Sequence, residues 1–228
     1  MINFKGHHFE DTTILMSVRW YLAYPLSYRH IEELMAERGV DVDHSTINRW
    51  VIKYSPLLEN EFTKRYKAQV GSSWRMDDAY IKVKGVWHYL YRAVDKTGAT
   101  IDFMLSKKRD KKAAKKFFRK AIGYSGKPEK VTIDKSGSNN SALQLINNEL
   151  NKYKSSQILI RQIKYLNNIV EQDHRFIKKI TNPMLGFKSY TSAHATLIGI
   201  ELHHMLHKGQ HKNSKNIPVF EQFYALAA

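Results

Sequence analysis

WRMDDAYIKVKGVWHYLYRAVD, residues 74–95, reads as two β-strands folded back on each other. Its residues are dense in β-branched and aromatic side chains, and the run is broken once, at Lys84-Gly85, a pair suited to a tight turn. A second turn at Lys96-Thr97-Gly98 leads into ATIDFMLS (99–106), a third antiparallel strand. If the first strand alternates, Asp77 shares a face with Ala79, Ile81 and Val83, while Asp78 shares the other with Lys82 and Lys84. Asp77 is then the carboxylate on the apolar side, where an ionised group needs a metal or a cation as partner.

Downstream of these strands the period changes. RDKKAAKKFFRKAI (109–122) is a helix with Ala113, Ala114, Phe117, Phe118, Ala121 and Ile122 inward and a basic outer face. EKVTID (129–134) is a short strand, SNNSALQLINNELNKY (138–153) a helix, QILIRQI (157–163) a fifth strand, and residues 168–180 a long helix. Three strands, helix, strand, helix, strand, helix is the order of a ribonuclease-H-like, retroviral-integrase-like α/β domain. One more helix follows from Tyr190 to Lys208.

Three acids stand out in this frame. Asp134 closes the strand VTID, and open α/β sheets bind ligands at such carboxyl ends, although an isolated aspartate there is commonly a cap or turn residue. On the helix 168–180, Glu171, His174, Arg175 and Lys178 follow one another by three and four and form a polar face opposite Ile169, Phe176, Ile177 and Ile180. Asp173 falls towards the apolar side, with no role that spacing explains. Two strands and a helix can bring Asp77, Asp134 and Glu171 together on a pair of Mg²⁺ or Mn²⁺ ions about 4 Å apart, clamping a phosphodiester. Asp95, Asp102 and Asp110 compete for the same roles.

Upstream, residues 12–24 place Ile14, Leu15, Val18, Tyr21 and Leu22 at helical spacing, and Pro25 ends the run. Ser27 caps a second helix that stops at Gly39, and DHSTINRWVIKY (43–54) is a third with Ile47, Trp50, Val51 and Tyr54 on one face. Three short helices with a tight turn before the last match a helix-turn-helix, whose final helix lies in the DNA major groove. His44, Ser45, Thr46, Asn48 and Arg49 are then the candidate readers of phosphates or base edges; an ordinary three-helix bundle with a solvated polar face has the same spacing.

Charge decides between those two readings. There are 37 Lys and Arg against 21 Asp and Glu, a formal +16. An excess of that size makes a polyanion the leading partner, because neutralising phosphates releases counterions. No apolar run approaches the roughly 20 residues needed to span a bilayer, and Glu10 and Asp11 interrupt the start where a signal peptide needs an apolar stretch, so a cytoplasmic, nucleoid-associated protein is expected. With no cysteine in the chain, disulfides and thiolate metal sites are excluded.

The blocks DHSTINRW, WRMDDAYIKVKGVWHYLYRAVD, TIDK, IKYLNNIVEQDHRFIK and LGFKSYTSAHATLIGIE resemble, in order and over nearly the full length, the DDE transposases of the insertion-sequence six family. The resemblance implies that Asp77, Asp134 and Glu171 form a catalytic and metal-binding triad, with 36 residues (135–170) between the last two. It implies two divalent ions, Mg²⁺ or Mn²⁺, cleavage at terminal inverted repeats, and attack of the freed 3′-hydroxyl on target DNA. The helix-turn-helix would recognise the repeats, and His174, Arg175 and Lys178 would contact DNA, with Lys178 where such transposases carry a basic contact. Action on two ends implies a homodimer or higher homo-oligomer. The expected organisation is a helix-turn-helix domain at 1–55, a linker at 56–73, a catalytic domain at 74–182 and a C-terminal helical extension at 183–228.

Asp78-Ala79 stands where the family has Glu-Thr, and Ser136-Gly137 where it has Ala-Pro. The alternative reading is accordingly a weakened or inactive transposase acting as a sequence-specific DNA-binding protein, which would not need three convergent acids. A third reading builds a metal site on His203, His207 and His211, at i, i+4 and i+8. Gly209 breaks that helix before His211, and packing or phosphate contact is the plainer account of the three rings.

Overall fold

The computed structural model describes residues 2–4, 6, 8–213 and 216–228. The chain divides into two compact units, one made of residues 1–68 and 176–228 and the other of residues 69–175.

The α/β unit is built on the hairpin at residues 74–95. Strand β1 (Ser73–Val83) pairs antiparallel with β2 (Val86–Asp95) along its whole length, from Trp74 opposite Asp95 to Val83 opposite Val86. Two residues, Lys84 and Gly85, join them with φ of 50° and 78°. Both central residues at positive φ is the type I′ geometry, whose twist matches that of the flanking strands. β2 pairs antiparallel with β3 (Thr100–Ser106), with a bulge between Ala93 and Val94. α4 (Lys111–Ser125) then leads to β4 (Lys130–Ile133), which lies parallel to β1, and α5 (Gly137–Lys152) leads to β5 (Leu159–Gln162), parallel to β4.

The resulting order, β3-β2-β1-β4-β5, is the mixed sheet of a ribonuclease-H-like domain. Trp74, Met76, Tyr91, Val131 and Ile133 pack with Phe117 and Phe118 of α4 and Leu143 and Ile146 of α5 into one core. Buried Asn147 bridges to the chain ahead of β5: its amide donates to the Ile158 carbonyl at 2.9 Å, and its oxygen accepts from the Ile158 N–H at 2.8 Å. Two backbone groups that would otherwise be desolvated without partners are thereby satisfied.

The helical unit holds α1 (Asp11–Ala23), α2 (Tyr28–Ala36), α3 (His44–Glu61), α7 (Tyr190–His207) and α8 (Val219–Ala225). Ser27 caps α2 as its sequence predicts, and Asp43 caps α3 by accepting the Ser45 N–H at 2.8 Å. α7 is buried on nearly every side, which makes it the centre of this unit rather than an appendage. Its Gly199 admits the neighbouring helices so closely that a Cβ would lie 2.6 Å from Leu22 and 2.7 Å from the Ser55 hydroxyl.

This grouping differs from the expected linker at 56–73 and the separate extension at 183–228. α3 continues through Pro56 because Leu58 and then Phe62, both fully buried, extend the stripe of Ile47, Val51 and Ser55. Tertiary burial of those side chains outweighs the helix-breaking tendency of proline. α6 (Asn168–Thr181) carries residues of both units. No helix among the described residues is long and apolar enough to cross a membrane.

Candidate active site

β1 pairs with β4 only from Ser73 to Arg75, so the two strands part just before Asp77, and Asp134 is the first residue beyond β4. The charges of Asp134 and Glu171 reach Asp77 at that fork, although among the described residues it is Glu32, Asp43 and His44, not these three acids, whose ligand atoms lie within 4.8 Å of one another. Burial, and then the carboxylates of Asp78, Asp134 and Glu171, push the Asp77 carboxyl from 3.8 up to about 6, against a backbone hydrogen bond from Asp78 that favours the ion. Two carboxylates distant in sequence thus act electrostatically on a third.

Two contacts bring Glu171 to this fork. Asn167, buried at the entry to α6, donates its amide to the Met76 carbonyl at 3.3 Å, one residue before Asp77. Two residues beyond Glu171, Asp173 accepts from Arg92 at 2.7 Å. Arg92 is the cross-strand partner of Asp77 and is fully buried. Asp173, which spacing leaves without a role, is the counter-ion of that guanidinium and ties α6 to the sheet. Glu171 itself is exposed in the first turn of the helix.

Asp78 is more deeply buried than Asp77, because its face carries Trp74 and Met76 into the α4–α5 core. Burial raises its pKa, and Arg109 opposes the rise by donating to Asp78 Oδ1 at 3.0 Å. The same guanidinium lies 3.5 Å from Asp134 Oδ2. Asp134 also accepts the Ser136 N–H at 3.1 Å, so the turn that its position suggests is present alongside its place at the fork. Arg109, just ahead of α4, gave no sequence signal beyond its charge.

The competing acids have structural duties. Asp95 accepts from the N–H groups of Gly71, Thr97 and Ala99 and holds the β2–β3 turn. Asp102 accepts from Lys120 at 2.7 Å, and Asp110 caps α4 through the Ala113 N–H.

The predicted polar face of α6 is corrected at one position. His174 is 3% exposed, on the buried stripe of Val170, Ile177 and Thr181, because four-residue and three-residue steps align it with those side chains. Glu171, Arg175 and Lys178 are exposed.

In the helical unit the candidate readers are already engaged. His44 Nδ1 lies 3.0 Å from Glu32 and 3.3 Å from Asp43, a trio with ligand atoms all within 4.8 Å of one another. Arg49 donates to Thr46 Oγ1 at 2.7 Å. His44, Ser45 and Asn48 line a cavity of about 650 Å³ together with Met184, Phe187 and Lys188, residues whose proximity no local pattern announces. His203, His207 and His211 form no common ligand set: His211, beyond the end of α7, stacks on Tyr66 with ring centroids 4.8 Å apart, His203 is buried near Phe176, and His207 is exposed.

The family model described as a DDE domain (DDE_Tnp_IS240) matches residues 71–210. The transposase of the insertion sequence-like element IS431mec from Staphylococcus aureus strain Mu50 is 40% identical over 217 residues, 95% of this chain and 92% of that one. The chain belongs to the insertion-sequence six family of DDE transposases. A transposase for insertion sequence element IS257 in transposon Tn4003, also from Staphylococcus aureus, is 39% identical to it over the same length. Among solved structures, the magnesium complex of the HTLV-2 integrase catalytic core in dimeric form is 22% identical, with a TM-score of 0.40, over 51% of this transposase and 74% of that chain.

Proposed function

We propose that this transposase cleaves and joins DNA at the fork between β1 and β4, with Asp77, Asp134 and Glu171 as its catalytic acids. The observation that carries the reading is the geometry of the fork: Asp77 follows the last β1–β4 pair, Asp134 follows β4, and Asn167 ties the entry of α6 to the Met76 carbonyl, while burial and the neighbouring carboxylates raise the Asp77 carboxyl to about 6. Carboxylates placed where they oppose one another's ionisation are costly unless a cation is bound among them. The donor set is all oxygen, which fits Mg²⁺ or Mn²⁺, and Asp77, Asp134 and Glu171 would hold two such ions. When bound, the pair supplies charge neutralisation at the attacking and leaving oxygens of a phosphodiester.

The chain's own groups prepare that chemistry. Asn167 and the Arg92–Asp173 pair hold Glu171 against β1, and Arg109 braces Asp78 and Asp134. Exposed Arg175 and Lys178, one and two turns beyond Glu171, would receive phosphates of the bound strand. In the first step water adds to the scissile phosphorus and the bond to the 3′-oxygen breaks, leaving a 3′-hydroxyl. In the second that hydroxyl loses its proton, bonds to a target phosphorus, and displaces a target 3′-oxygen.

In the same reading the helical unit recognises the terminal inverted repeats through the α3 residues Ser45, Thr46, Asn48 and Arg49, with His44 held by Glu32. Two ends require a homodimer or a larger homo-oligomer, acting on DNA in the nucleoid. A strand-transfer assay with an oligonucleotide carrying the terminal repeat, in Mg²⁺ or Mn²⁺, tests the proposal. Joining by the native protein that disappears in Glu171→Gln supports it. Repeat binding without joining in either protein refutes the enzymatic reading and leaves a DNA-binding remnant.

A further inference from the structure

The β1–β2 hairpin exposes aromatic surface that the core does not use. Tyr80 and Trp87 are each 54% exposed and the adjoining Val86 is 62% exposed. Their rings meet edge to face with centroids 6.0 Å apart, and Tyr80 lies 5.4 Å from half-buried Tyr89, its cross-strand partner. Cross-strand aromatic pairs stabilise a hairpin that extends beyond its sheet, but hairpin stability does not require half a tryptophan in water. Contiguous apolar surface of this kind marks an interaction site.

The surroundings say which kind. Lys82 holds its ammonium 5.9 Å over the Trp87 ring, and Lys84 sits at the hairpin tip. β3 ends at Ser106, opposite Tyr89, so Lys107, Lys108 and Arg109 leave the sheet beside the aromatic set. Tyr80 is near enough to Arg109 to act on its charge, and Arg109 is the residue that contacts both Asp78 and Asp134. Along the strand Tyr80 is three residues, about 10 Å, from Asp77, but on the Asp78 side of the sheet, where Arg109 contacts both Asp78 and Asp134. Aromatic faces interleaved with cations are the composition that binds single-stranded nucleic acid, by stacking bases while the cations track the backbone. The basic border adds the charge complement that a phosphate backbone supplies.

We infer that Tyr80, Trp87 and Tyr89, with Lys82, form a stacking platform for an unpaired nucleobase next to the strand held at the acids. The inference rests on the proposed active site and adds to it a means of holding DNA melted or splayed at the point of cleavage. Duplex DNA keeps its bases within the helix, so the platform discriminates between paired and unpaired ends.

The test uses the full chain in metal-free buffer, so its readout does not depend on catalysis. A single-stranded oligonucleotide containing 2-aminopurine and the corresponding duplex are titrated with the native protein, Tyr80→Ala, Trp87→Ala and the conservative Trp87→Phe, after thermal melting confirms that each variant is folded. The expected result is fluorescence quenching of the single strand by the native protein, with affinity lowered about tenfold by either alanine variant, restored by Trp87→Phe, and with duplex binding changed less than twofold. Unchanged single-strand affinity in both alanine variants overturns the inference, as does an equal loss for single strand and duplex. Dissociation of an oligomer in Trp87→Ala, seen by light scattering with single-strand binding intact, overturns it in favour of an interface between copies. Loss of joining in Glu171→Gln alongside any of these failures leaves the triad standing, while intact stacking without joining in the native protein refutes the active-site reading alone.

Discussion

Replacing Asp77 with asparagine removes a charge that the metal-free protein is strained to hold. The native carboxyl sits at about 6 and its ordinary value is 3.8, a rise of about two units, or about 3 kcal/mol. The unfolded chain ionises first as pH rises, so this penalty is absent below about pH 4, grows between pH 4 and 6, and is complete above 6. Asparagine has nearly the same shape, keeps an oxygen for the Asp78 backbone N–H, and carries no charge at any of these pH values. Without divalent ions, Asp77→Asn should therefore raise stability at pH 8 by up to about 3 kcal/mol, a gain of about 6–12 °C in melting temperature for a chain of this size. The gain should shrink towards zero by pH 4. Adding Mg²⁺ or Mn²⁺ should stabilise the native protein more than the variant and close the gap, because only the native site gains a compensated carboxylate. Melting followed by circular dichroism at pH 8 and pH 4, with EDTA and with metal, gives the whole pattern. A variant that melts lower than native protein at pH 8, or a gap that persists unchanged at pH 4, refutes the electrostatic account of the fork.

The Arg92–Asp173 pair makes a second stability prediction. With Arg92 fully buried, Asp173→Ala leaves its guanidinium without this partner and should cost about 3–5 kcal/mol in urea unfolding, whereas Arg92→Met with Asp173→Leu should recover most of the loss. In the helical unit, Gly199→Ala places a methyl group 2.6 Å from Leu22 and should cost about 1–3 kcal/mol by the same measurement; a neutral result would mean that α1 and α7 separate without penalty.

The sheet was legible in the sequence because its signals are local. The β-dense run from Trp74 to Asp95, the Lys84-Gly85 turn and the alternation of helices with short strands each depend on residues within a few positions of one another, and the five strands and their intervening helices form in that order. The end of α3 was not legible, because Pro56 is a local stop signal, while Leu58 and Phe62 are kept helical by burial that only the folded unit provides. His174 has the same cause. Its spacing places it equally well beside Glu171 and beside Val170 and Ile177, and the packing of α6 alone decides that it is buried.

The acids divide in a similar way. Asp95, Asp102 and Asp110 have the same chemistry as Asp77, and what separates them from it is partner supply. The first three draw on nearby N–H groups or on Lys120, contacts that exist only once the chain is folded. Asp77 lies opposite Arg92 across the strand pair, and that cation is engaged by Asp173. The pairing that fixes α6 in place therefore also withholds a counter-charge from Asp77, leaving it to the field of Asp134 and Glu171. A double variant tests this coupling of architecture to electrostatics. In Asp173→Asn the guanidinium keeps a hydrogen-bonding neighbour but loses the negative charge of Asp173, so the charge of Arg92 is less offset and favours the ionised Asp77 more strongly. The Asp77 titration, followed by carboxyl NMR, should move down from about 6, and the stabilisation gained by adding Asp77→Asn at pH 8 should shrink or reverse in that background. An Asp77 titration unmoved by Asp173→Asn would show that Arg92 has no electrostatic access to the fork and that burial alone sets its acidity.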